Sequence, residues 1–113
     1  MNCIFCKVVD KTVDAKLIFE DDDILAFRDL APQSPDHILI IPKKHITSLN
    51  HTTKEDIPVL GKLLKASQMV AENLGHAPQG YRVVINTGSH GGQTVEHLHL
   101  HLLAGRNMTW PPG

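Results

Sequence analysis

The stretch His97-Leu98-His99-Leu100-His101-Leu102-Leu103 organises this chain of 113 residues. Histidine and leucine alternate in it with a period of two, which is the side-chain period of a β-strand. Such a strand turns Leu98, Leu100 and Leu102 toward one face and the three histidines toward the other. The leucine face predicts a contact with the core. The histidine face lines up three groups that act as bases, nucleophiles or metal ligands near neutral pH.

Two chemistries compete for this row of histidines. Alternate residues on a strand face lie roughly 6.6 Å apart, so neighbouring histidines can converge on one ion. The outer pair, His97 and His101, starts about 13 Å apart on the same estimate, which disfavours one metal bound by all three. The alternative is a covalent or general acid–base histidine whose neighbours serve other roles. A merely solvated strand face is a third interpretation, but such faces are usually built from Lys, Glu and Thr.

A glycine-rich loop, residues 86–94, directly precedes the histidine row. A strand-like run from Tyr81 to Asn86 leads into it. Glycines let backbone N–H groups approach an anion closely, as phosphate-binding loops do. Most glycine-rich loops are only turns, but this position predicts a phosphate cradle beside a nucleophile.

These residues together resemble the signature of the histidine triad (HIT) superfamily. The resemblance rests on Gly91-Gly92-Gln93-Thr94 followed by the alternating histidines, and on residues 26–33 and 37–45. Residues 105–113, with their Trp-Pro-Pro-Gly ending, resemble the branch of histidine triad nucleotide-binding proteins, which is purine nucleoside phosphoramidase-like. The similarity covers essentially the whole chain. It implies a HIT-like fold in which two subunits pair into a continuous sheet.

Length, charge and hydropathy narrow the function classes. The chain is long enough for one domain, residues 1–113, with a modest core. Its net charge of −1 with mixed signs predicts no polyanion-binding surface, so we expect no nucleic-acid partner. No apolar run approaches a membrane span, and residues 1–9 lack a secretory pattern. We therefore expect no membrane partner and a cytoplasmic location.

The strand patterns predict an α+β fold with an antiparallel sheet of about five strands, one long helix and a short N-terminal helix. Lys16–Glu20 and Ile24–Asp29 are interpreted as two strands around an acidic turn. His37–Pro42 is a nearly continuous apolar run and is interpreted as a buried central strand. Tyr81–Asn86 and the histidine row complete the sheet.

The long helix is predicted from its ends and its periodicity. Thr52 or Thr53 caps its start, and the spacing of Thr52 and Glu55 fits a capping box. Gly75 is the expected stop. Its apolar face is expected to consist of residues at helical spacing, namely Ile57, Leu60, Leu64, Ala71 and Leu74.

The two cysteines, Cys3 and Cys6, are separated by two residues. Without a visible targeting segment we expect reduced thiols rather than a disulfide. The spacing matches half of a tetrahedral zinc site, and a redox pair is the rival interpretation. In zinc-carrying members of the resembled superfamily the remaining ligands correspond to His45 and His97. The resemblance thus implies a structural zinc on these four residues, with a pair of metal-free thiols as the alternative, and no catalytic metal.

The resemblance also implies a site for a purine nucleoside monophosphate or phosphoramidate. Phe5 and Val8 are explained equally by core packing, and Asp29 by a cap or turn, but the resemblance gives them the nucleobase and the ribose. The implied nucleotide-binding residues are Ile4, Phe5, Val8, Phe27, Asp29, Leu30, Asn86, Gly92, Gln93, Thr94, His99, His101 and Trp110.

The implied reaction is hydrolysis of the P–N bond of purine nucleoside 5′-phosphoramidates. His99, the middle histidine, attacks the α-phosphorus to form a nucleotidyl-histidine, which water then hydrolyses. Backbone N–H groups near Gly92, the Thr94 hydroxyl and His101 would stabilise charge on the phosphoryl oxygens. His37, at the start of the central strand, would handle protons beside the catalytic histidine. Threonine at position 94 replaces the serine found in many members of the branch, which keeps the hydroxyl.

Two other functions remain open at this point. One is a non-catalytic nucleotide-binding or scaffolding module, which has no need of a nucleophile at His99. The other is a dinucleoside polyphosphate hydrolase or nucleotidyltransferase of the same superfamily, although the Trp-Pro-Pro-Gly ending favours the phosphoramidase branch. The resemblance further implies a homodimer with Trp110 near the partner's site, whereas the simplest interpretation of the ending is a disordered tail.

Overall fold

One antiparallel sheet of five strands organises the computed structural model, which describes residues 2–113. The strands are β1 (Leu17–Glu20), β2 (Ile24–Arg28), β3 (Asp36–Pro42), β4 (Tyr81–Val84) and β5 (Leu100–Ala104). Their order in the sheet is β1-β2-β3-β5-β4. A short helix, α1 (Ile4–Val9), precedes the sheet, and a long helix, α2 (Ile57–Asn73), joins β3 to β4. The predicted α+β architecture, a five-stranded antiparallel sheet with one long helix and a short N-terminal helix, is confirmed.

The sheet separates two hydrophobic clusters, because successive residues of β2 and β3 point to opposite faces. The cluster under α2 contains residues of β2 and β3 and the leucines that alternate with the histidines, namely Ile24, Ala26, Ile38, Ile40, Leu98, Leu100 and Leu102. The cluster under α1 contains Phe5, Val8, Leu25, Phe27, Leu39 and Ile41. Burial on both faces explains the continuous apolar run of β3. It also places α1, which contains Cys6 and is capped by Cys3, on the face that carries the histidines.

The histidine row enters the sheet later than predicted. Leu98, Leu100 and Leu102 are buried under α2 as the alternation predicts, but β5 begins only at Leu100. β4 ends at Val84, two residues earlier than predicted, and Val84 pairs with His101 of β5. Beyond Val84 the chain turns into the glycine loop, so the residues just before β5 have no β4 partner and are held by other contacts.

The segment before α2 is capped at Thr53, one of the two predicted residues, but its capping box lies one residue later than predicted. The backbone N–H of Thr53 donates to Asp56 Oδ2 at 2.9 Å, and these two residues form the capping box around a 3₁₀ turn. The predicted pairing of Thr52 with Glu55 is therefore wrong, since the cap needs its partners in the register that α2 adopts. The stop at Gly75, with φ of 85°, is confirmed.

The face of α2 that packs on the sheet also differs from the prediction. Its buried residues are Leu63, Ala66, Ser67, Val70 and Ala71. Ile57 and Leu64 are 63% and 53% exposed, so assigning them to the core face was wrong. At 100° per residue they lie on the side of the helix opposite Ala66. Within residues 2–113 no helix is long and apolar enough to cross a membrane.

Candidate functional site

A cavity of about 310 Å³ opens between α1 and the ends of β2 and β3. Seven of the residues singled out by the sequence line it: Ile4, Phe5, Val8, Phe27, Asp29, Leu30 and Thr94. The remaining lining residues were not anticipated as site residues; they are Val13, Asp14, Ala15, Arg28, Leu39 and Val95. The walls are mainly apolar and include two carboxylate residues, Asp14 and Asp29, and one arginine, Arg28. Such a slot can accept a flat heterocycle together with a hydroxyl-bearing group.

His99 is buried beside this cavity. Phe5, which lines the cavity, meets the His99 ring edge to face at a centroid distance of 5.2 Å. The Nδ1 atom of His99 lies 2.7 Å from the backbone oxygen of His97. A carbonyl can only accept, so Nδ1 carries the hydrogen and Nε2 keeps its lone pair. The nitrogen available for attack is therefore Nε2.

His97 has the opposite arrangement. Its Nε2 lies 2.8 Å from the backbone oxygen of Pro42, so Nε2 carries the hydrogen and Nδ1 keeps its lone pair. That Nδ1 lies 3.3 Å from Cys3 Sγ and 3.2 Å from His45 Nδ1. Burial lowers the pKa of His97, with the Pro42 carbonyl opposing the shift. The ring is thus held neutral, as a metal-binding imidazole must be.

Cys3, Cys6, His45 and His97 bring four ligand atoms within 4.8 Å of one another. In a regular tetrahedral zinc site, two nitrogens lie about 3.3 Å apart, and a nitrogen and a sulfur about 3.6 Å apart. The His45–His97 distance of 3.2 Å matches the first value. The Cys6–His45 and Cys6–His97 distances, 3.3 and 3.6 Å, match the second. The predicted ligand set therefore fits a tetrahedral zinc ion in chemistry and geometry.

A second polar cluster joins Asp29, His37 and His101. The backbone N–H of Gln33 donates to His37 Nδ1 at 3.1 Å, so a neutral His37 carries its hydrogen on Nε2. His37 Nε2 lies 2.9 Å from His101 Nδ1 and 3.5 Å from Asp29 Oδ2. His37 thus donates to His101, which leaves the hydrogen of His101 on Nε2. We interpret this cluster as a hydrogen-bond relay because its nitrogens already pair with one another.

Burial keeps both rings of the relay neutral. It lowers the pKa of His101 to about 4, and the neighbouring rings of His99 and His37 add to the shift. It also lowers the pKa of His37, while the Asp29 carboxylate opposes this effect. His101 therefore presents a neutral N–H donor near pH 7, where an exposed histidine is partly charged.

The glycine loop is held by its own side chains. Asn86 Nδ2 donates to the Gly91 oxygen at 2.7 Å. A Cβ on Gly91 would lie 2.4 Å from the Thr87 oxygen, so only glycine fits there. The side chain of Gln93 accepts from Gly88 N and donates to the oxygens of Thr47 and Val95, which makes it a brace for the loop. The sequence did not indicate this bracing role.

Comparison with known proteins now identifies the family. The sequence profile of the HIT domain matches residues 10–108. The chain belongs to the HIT domain family.

Relatives across this family share nearly the whole chain. A protein of Arabidopsis thaliana named adenylylsulfatase HINT1 is 47% identical over 112 residues, covering 97% of this chain and 76% of the relative. A 14 kDa zinc-binding protein of Brassica juncea is 46% identical and covers 99% of this chain and 100% of the relative. The crystal structure of a HIT family hydrolase from Legionella pneumophila Philadelphia 1 superposes with a TM-score of 0.97 at 51% identity, covering 99% and 100% of the chains. These names support a hydrolase and a zinc-binding ligand set.

Some residues of this HIT domain lie where the sequence could not place them. Trp110 is 82% exposed and lines neither the cavity nor the histidine clusters, and its tail is held by Arg82, which donates to the Thr109 oxygen at 2.7 Å. Gln33 was missed because it acts through its backbone N–H, which no side-chain pattern reveals. Arg106, which donates to the Gln33 oxygen at 3.0 Å, anchors the same loop.

Proposed function

We propose that this HIT protein hydrolyses the P–N bond of purine nucleoside 5′-phosphoramidates through a nucleotidyl-histidine on His99. The observation that carries the proposal is the position of His99, whose unprotonated Nε2 belongs to a ring that packs on Phe5, a wall of the nucleoside-sized cavity. Phe27 and Leu30 supply further apolar wall, and Asp29 supplies acceptors for ribose hydroxyls. A pure binding module has no need of this nitrogen.

The first step forms a bond between His99 Nε2 and the α-phosphorus. The P–N bond to the leaving amine breaks, and its electron pair stays on the amine nitrogen, which takes up a proton. We assign that proton to solvent water, because the neutral His101 ring can donate a hydrogen bond but not its proton near pH 7. Since His37 donates to the other nitrogen of the ring, the His101 Nε2–H is oriented to donate to a phosphoryl oxygen and to stabilise its charge.

The second step consumes water. Its oxygen attacks the phosphorus, the bond to His99 breaks, and nucleoside monophosphate and a regenerated imidazole result. The water gives up one proton to solvent, which balances the proton that the amine took up in the first step. Backbone N–H groups near Gly92 and the Thr94 hydroxyl stabilise the phosphoryl oxygens in both steps, as donors aimed at developing charge do. Asn86 positions this loop through its bond to Gly91. The net reaction converts phosphoramidate and water into nucleoside monophosphate and amine.

A substrate comparison tests this function. Adenosine 5′-phosphoramidate, diadenosine tetraphosphate and adenylyl sulfate are offered at equal concentration, and release of adenosine monophosphate is followed. We expect the largest kcat/KM for the phosphoramidate, and an adduct of nucleoside monophosphate mass on His99 in quenched reactions. Faster turnover of diadenosine tetraphosphate would assign the chain to dinucleoside polyphosphate chemistry instead. Nucleotide binding without turnover of any of the three would establish the scaffolding alternative.

Adenylyl sulfate is included because of one relative. The Arabidopsis thaliana relative, 47% identical, is named as an adenylylsulfatase. Hydrolysis of adenylyl sulfate uses the same attack on the α-phosphorus, with sulfate in place of the amine as leaving group. It is therefore the second candidate function, and kcat/KM for the two substrates decides between them.

We propose that Cys3, Cys6, His45 and His97 hold one structural zinc ion. The tetrahedral spacing of their ligand atoms supports this proposal, as does the relative named as a zinc-binding protein. Four protein ligands close the coordination sphere, so zinc there contributes folding energy and not a reactive position. The ion would link the start of α1 to the segment after β3 through His45 and to the segment before β5 through His97. We expect no catalytic metal.

We propose that two subunits pair through α2 and the edge of β4. Ile57, Gly61, Leu64 and Gln68 form a stripe along the outer side of α2. A Cβ on Gly61 would meet nothing within 4 Å, although glycine in a helix lowers stability by roughly 0.5–1 kcal/mol. The Gln68 Oε1 atom is buried without a hydrogen-bond partner in residues 2–113. A second helix laid along this stripe explains both features, and β4, as an edge strand, can extend the sheet.

Sedimentation equilibrium tests the pairing. We expect a dimer at micromolar concentration and a monomer for Leu64→Glu, which introduces a charge into the stripe. The control is Leu17→Glu, since Leu17 is comparably exposed on β1 at the other edge of the sheet. A wild-type monomer, or a Leu64→Glu dimer of unchanged affinity, would contradict the pairing. In the dimer, Trp110 is proposed to lie near the partner's active site.

We also propose that residues 1–113 work as one domain in the cytoplasm. Two cysteine thiolates can serve as zinc ligands only while they remain reduced, and the cytosol maintains that state. A fluorescent fusion of the whole chain, located by microscopy and fractionation, checks the location.

A further inference from the structure

The nucleoside cavity, of about 310 Å³ between α1 and the ends of β2 and β3, has a carboxylate that the proposed reaction does not use. This residue, Asp14, is not among those that the resemblance gives to the nucleotide. It lies in the loop between α1 and β1 with Val13 and Ala15, which line the cavity beside it. All three also line a smaller adjoining cavity of about 130 Å³. Asp14 therefore lies where the two cavities meet.

Helix α1 gives the direction along the nucleoside cavity. The helix starts at the histidine row, and Phe5, in its first turn, meets the ring of His99 at 5.2 Å. Val8 follows one turn later, about 4.5 Å further along the helix axis. It lines both cavities together with Asp14. A nucleotide whose phosphorus is attacked by His99 therefore extends along α1 and directs its base toward Val8 and Asp14.

No neighbouring cation neutralises the Asp14 carboxylate. It is exposed and forms no ion pair or hydrogen bond with any residue in 2–113. Arg28 lines the same cavity, but its guanidinium pairs with Asp36 at 2.8 Å. Lys11 lines the adjoining cavity, and its Nζ pairs with Glu20 at 2.7 Å. Asp14 thus presents charged acceptors that N–H groups of a ligand can occupy.

The purine bases differ in what they offer a carboxylate, which only accepts hydrogen bonds. Guanine has N1–H and the N2 amino group side by side, so it can donate to both carboxylate oxygens at once. Hypoxanthine has N1–H alone. Adenine has an amino group beside an unprotonated N1, and that N1 is an acceptor that a carboxylate cannot pair with. A carboxylate at the base end of the cavity therefore separates these rings, although they have nearly the same shape.

We propose that Asp14 selects guanine, so that the chain acts on guanosine 5′-phosphoramidates in preference to those of adenosine. This inference rests on the proposed function and names the base of its substrate. Val8 and Val13 supply apolar contacts that any purine can make, and Asp14 supplies the contact that distinguishes one purine from another. The carboxylate accepts hydrogen bonds from N1–H and from the N2 amino group of the bound guanine.

Nucleoside monophosphates test this preference without turnover. Binding of guanosine, inosine and adenosine 5′-monophosphates to the full chain is measured by calorimetry, and kcat/KM is measured for guanosine and adenosine 5′-phosphoramidates. We expect guanosine monophosphate to bind about tenfold more tightly than adenosine monophosphate, as for two hydrogen bonds to an exposed carboxylate. Inosine monophosphate should lie between them, because it keeps one of the two donors.

Variants of Asp14 make the test specific. Asp14→Ala should bring the affinity ratio of guanosine to adenosine monophosphate close to one. Asp14→Asn should also lower this ratio and should strengthen binding of xanthosine 5′-monophosphate, because an amide can accept from N1–H and donate to the 2-oxo group of xanthine. The matched control is Asp22→Asn, which removes the same charge from an exposed carboxylate that also lacks an ion pair but lines a different cavity. It should leave the ratio unchanged.

The outcomes separate this inference from the proposed function. Equal affinities for guanosine and adenosine monophosphates, or a ratio unchanged by Asp14→Ala, would overturn the role of Asp14 even if both phosphoramidates are hydrolysed through His99. Guanine-selective binding that Asp14→Ala abolishes, without turnover of either phosphoramidate, would uphold the role of Asp14 and refute the hydrolase.

Discussion

Residues 97–101 contribute histidines to two sites with different chemistry. His97 belongs to the cluster with Cys3, Cys6 and His45, whereas His99 and His101 lie beside the nucleoside cavity and the His37 relay. His97 gives its Nε2 hydrogen to the Pro42 oxygen and directs Nδ1 at two cysteines and His45. His99, two residues later, gives its Nδ1 hydrogen to the His97 oxygen and keeps Nε2 unprotonated. Neighbouring triad histidines therefore have opposite tautomers.

The third triad histidine completes the comparison. His101 receives a hydrogen bond on Nδ1 from His37 and so presents Nε2–H. One ring is prepared as a metal ligand, one as a nucleophile and one as a donor. The difference teaches that the hydrogen-bond partner on the far nitrogen of each ring decides its role. The predictions below test this division.

The largest effect is expected at His99. His99→Asn and His99→Ala should lower turnover of adenosine phosphoramidate by a factor on the order of 10³ or more, because no other unprotonated Nε2 replaces the nucleophile. Affinity for adenosine monophosphate should change little. Rapid-quench kinetics and mass spectrometry of the intermediate provide the measurement. Near wild-type turnover in His99→Ala would show that the covalent mechanism is wrong.

Loss of zinc from the cluster of Cys3, Cys6, His45 and His97 should lower the stability of the fold but not the rate of the reaction. Protein purified without chelator should contain about one equivalent of zinc, and Cys6→Ser should contain less than about a tenth of that. Loss of a ligand present at a hundred times its Kd removes about 3 kcal/mol of stability, which lowers Tm by roughly 10 °C in a domain of this size.

Atomic absorption measures the zinc content, and thermal unfolding measures the Tm. The kcat per folded molecule of Cys6→Ser is expected to stay within about twofold of wild type, since the zinc supplies no reactive position. His51→Gln, at a histidine outside both clusters, is the control. A metal-free wild type would contradict the zinc site. A kcat for Cys6→Ser that falls as far as in His99→Asn would contradict the separation of the zinc cluster from the catalytic histidine.

His101 should show an intermediate loss. His101→Ala removes a hydrogen-bond donor to the phosphoryl oxygens and should lower kcat by about a hundredfold, the usual cost of losing one donor aimed at developing charge. His37→Ala acts through His101 and should cost less. Equal losses of kcat in His101→Ala and His99→Asn would contradict the assignment of His99 as the nucleophile and His101 as the donor.

The smallest effect concerns acid stability. Because the pKa of His101 is held to about 4 in the folded chain, only the unfolded chain takes up a proton there as the pH falls below its ordinary value of 6.5. Stability from this residue is thus complete above pH 6.5 and is lost toward pH 4, at no more than about 1.4 kcal/mol per pH unit.

Urea unfolding at pH 7 and pH 5 should show a loss about 1 kcal/mol smaller for His101→Gln than for wild type, since the half-buried ring retains some hydration. Comparing the two proteins cancels the acid sensitivity of the zinc ligands. Identical losses would mean that folding does not lower the pKa of His101, so that the ring takes up its proton equally readily in the folded and unfolded chains.

Sequence reasoning succeeded where local pattern and core coincide. The alternation of His97 to Leu103 correctly placed three leucines under α2, and the apolar run of β3 correctly indicated a central strand. It failed on α2 because that helix carries two apolar stripes. Ile57 and Leu64 have the same spacing as Leu63 and Val70, and only packing on the sheet shows which stripe is inside.

By itself, the sequence determined the strand and helix order, the two-face pattern of the sheet, and the cysteine and histidine residues that could bind a metal. These follow from periods of two and 3.6 residues and from ligand chemistry, which are properties of neighbours along the chain. Only the tertiary structure decided which ring nitrogen each triad histidine presents. The oxygen that orients His97 belongs to Pro42, and the ring that orients His101 belongs to His37, both more than fifty residues away.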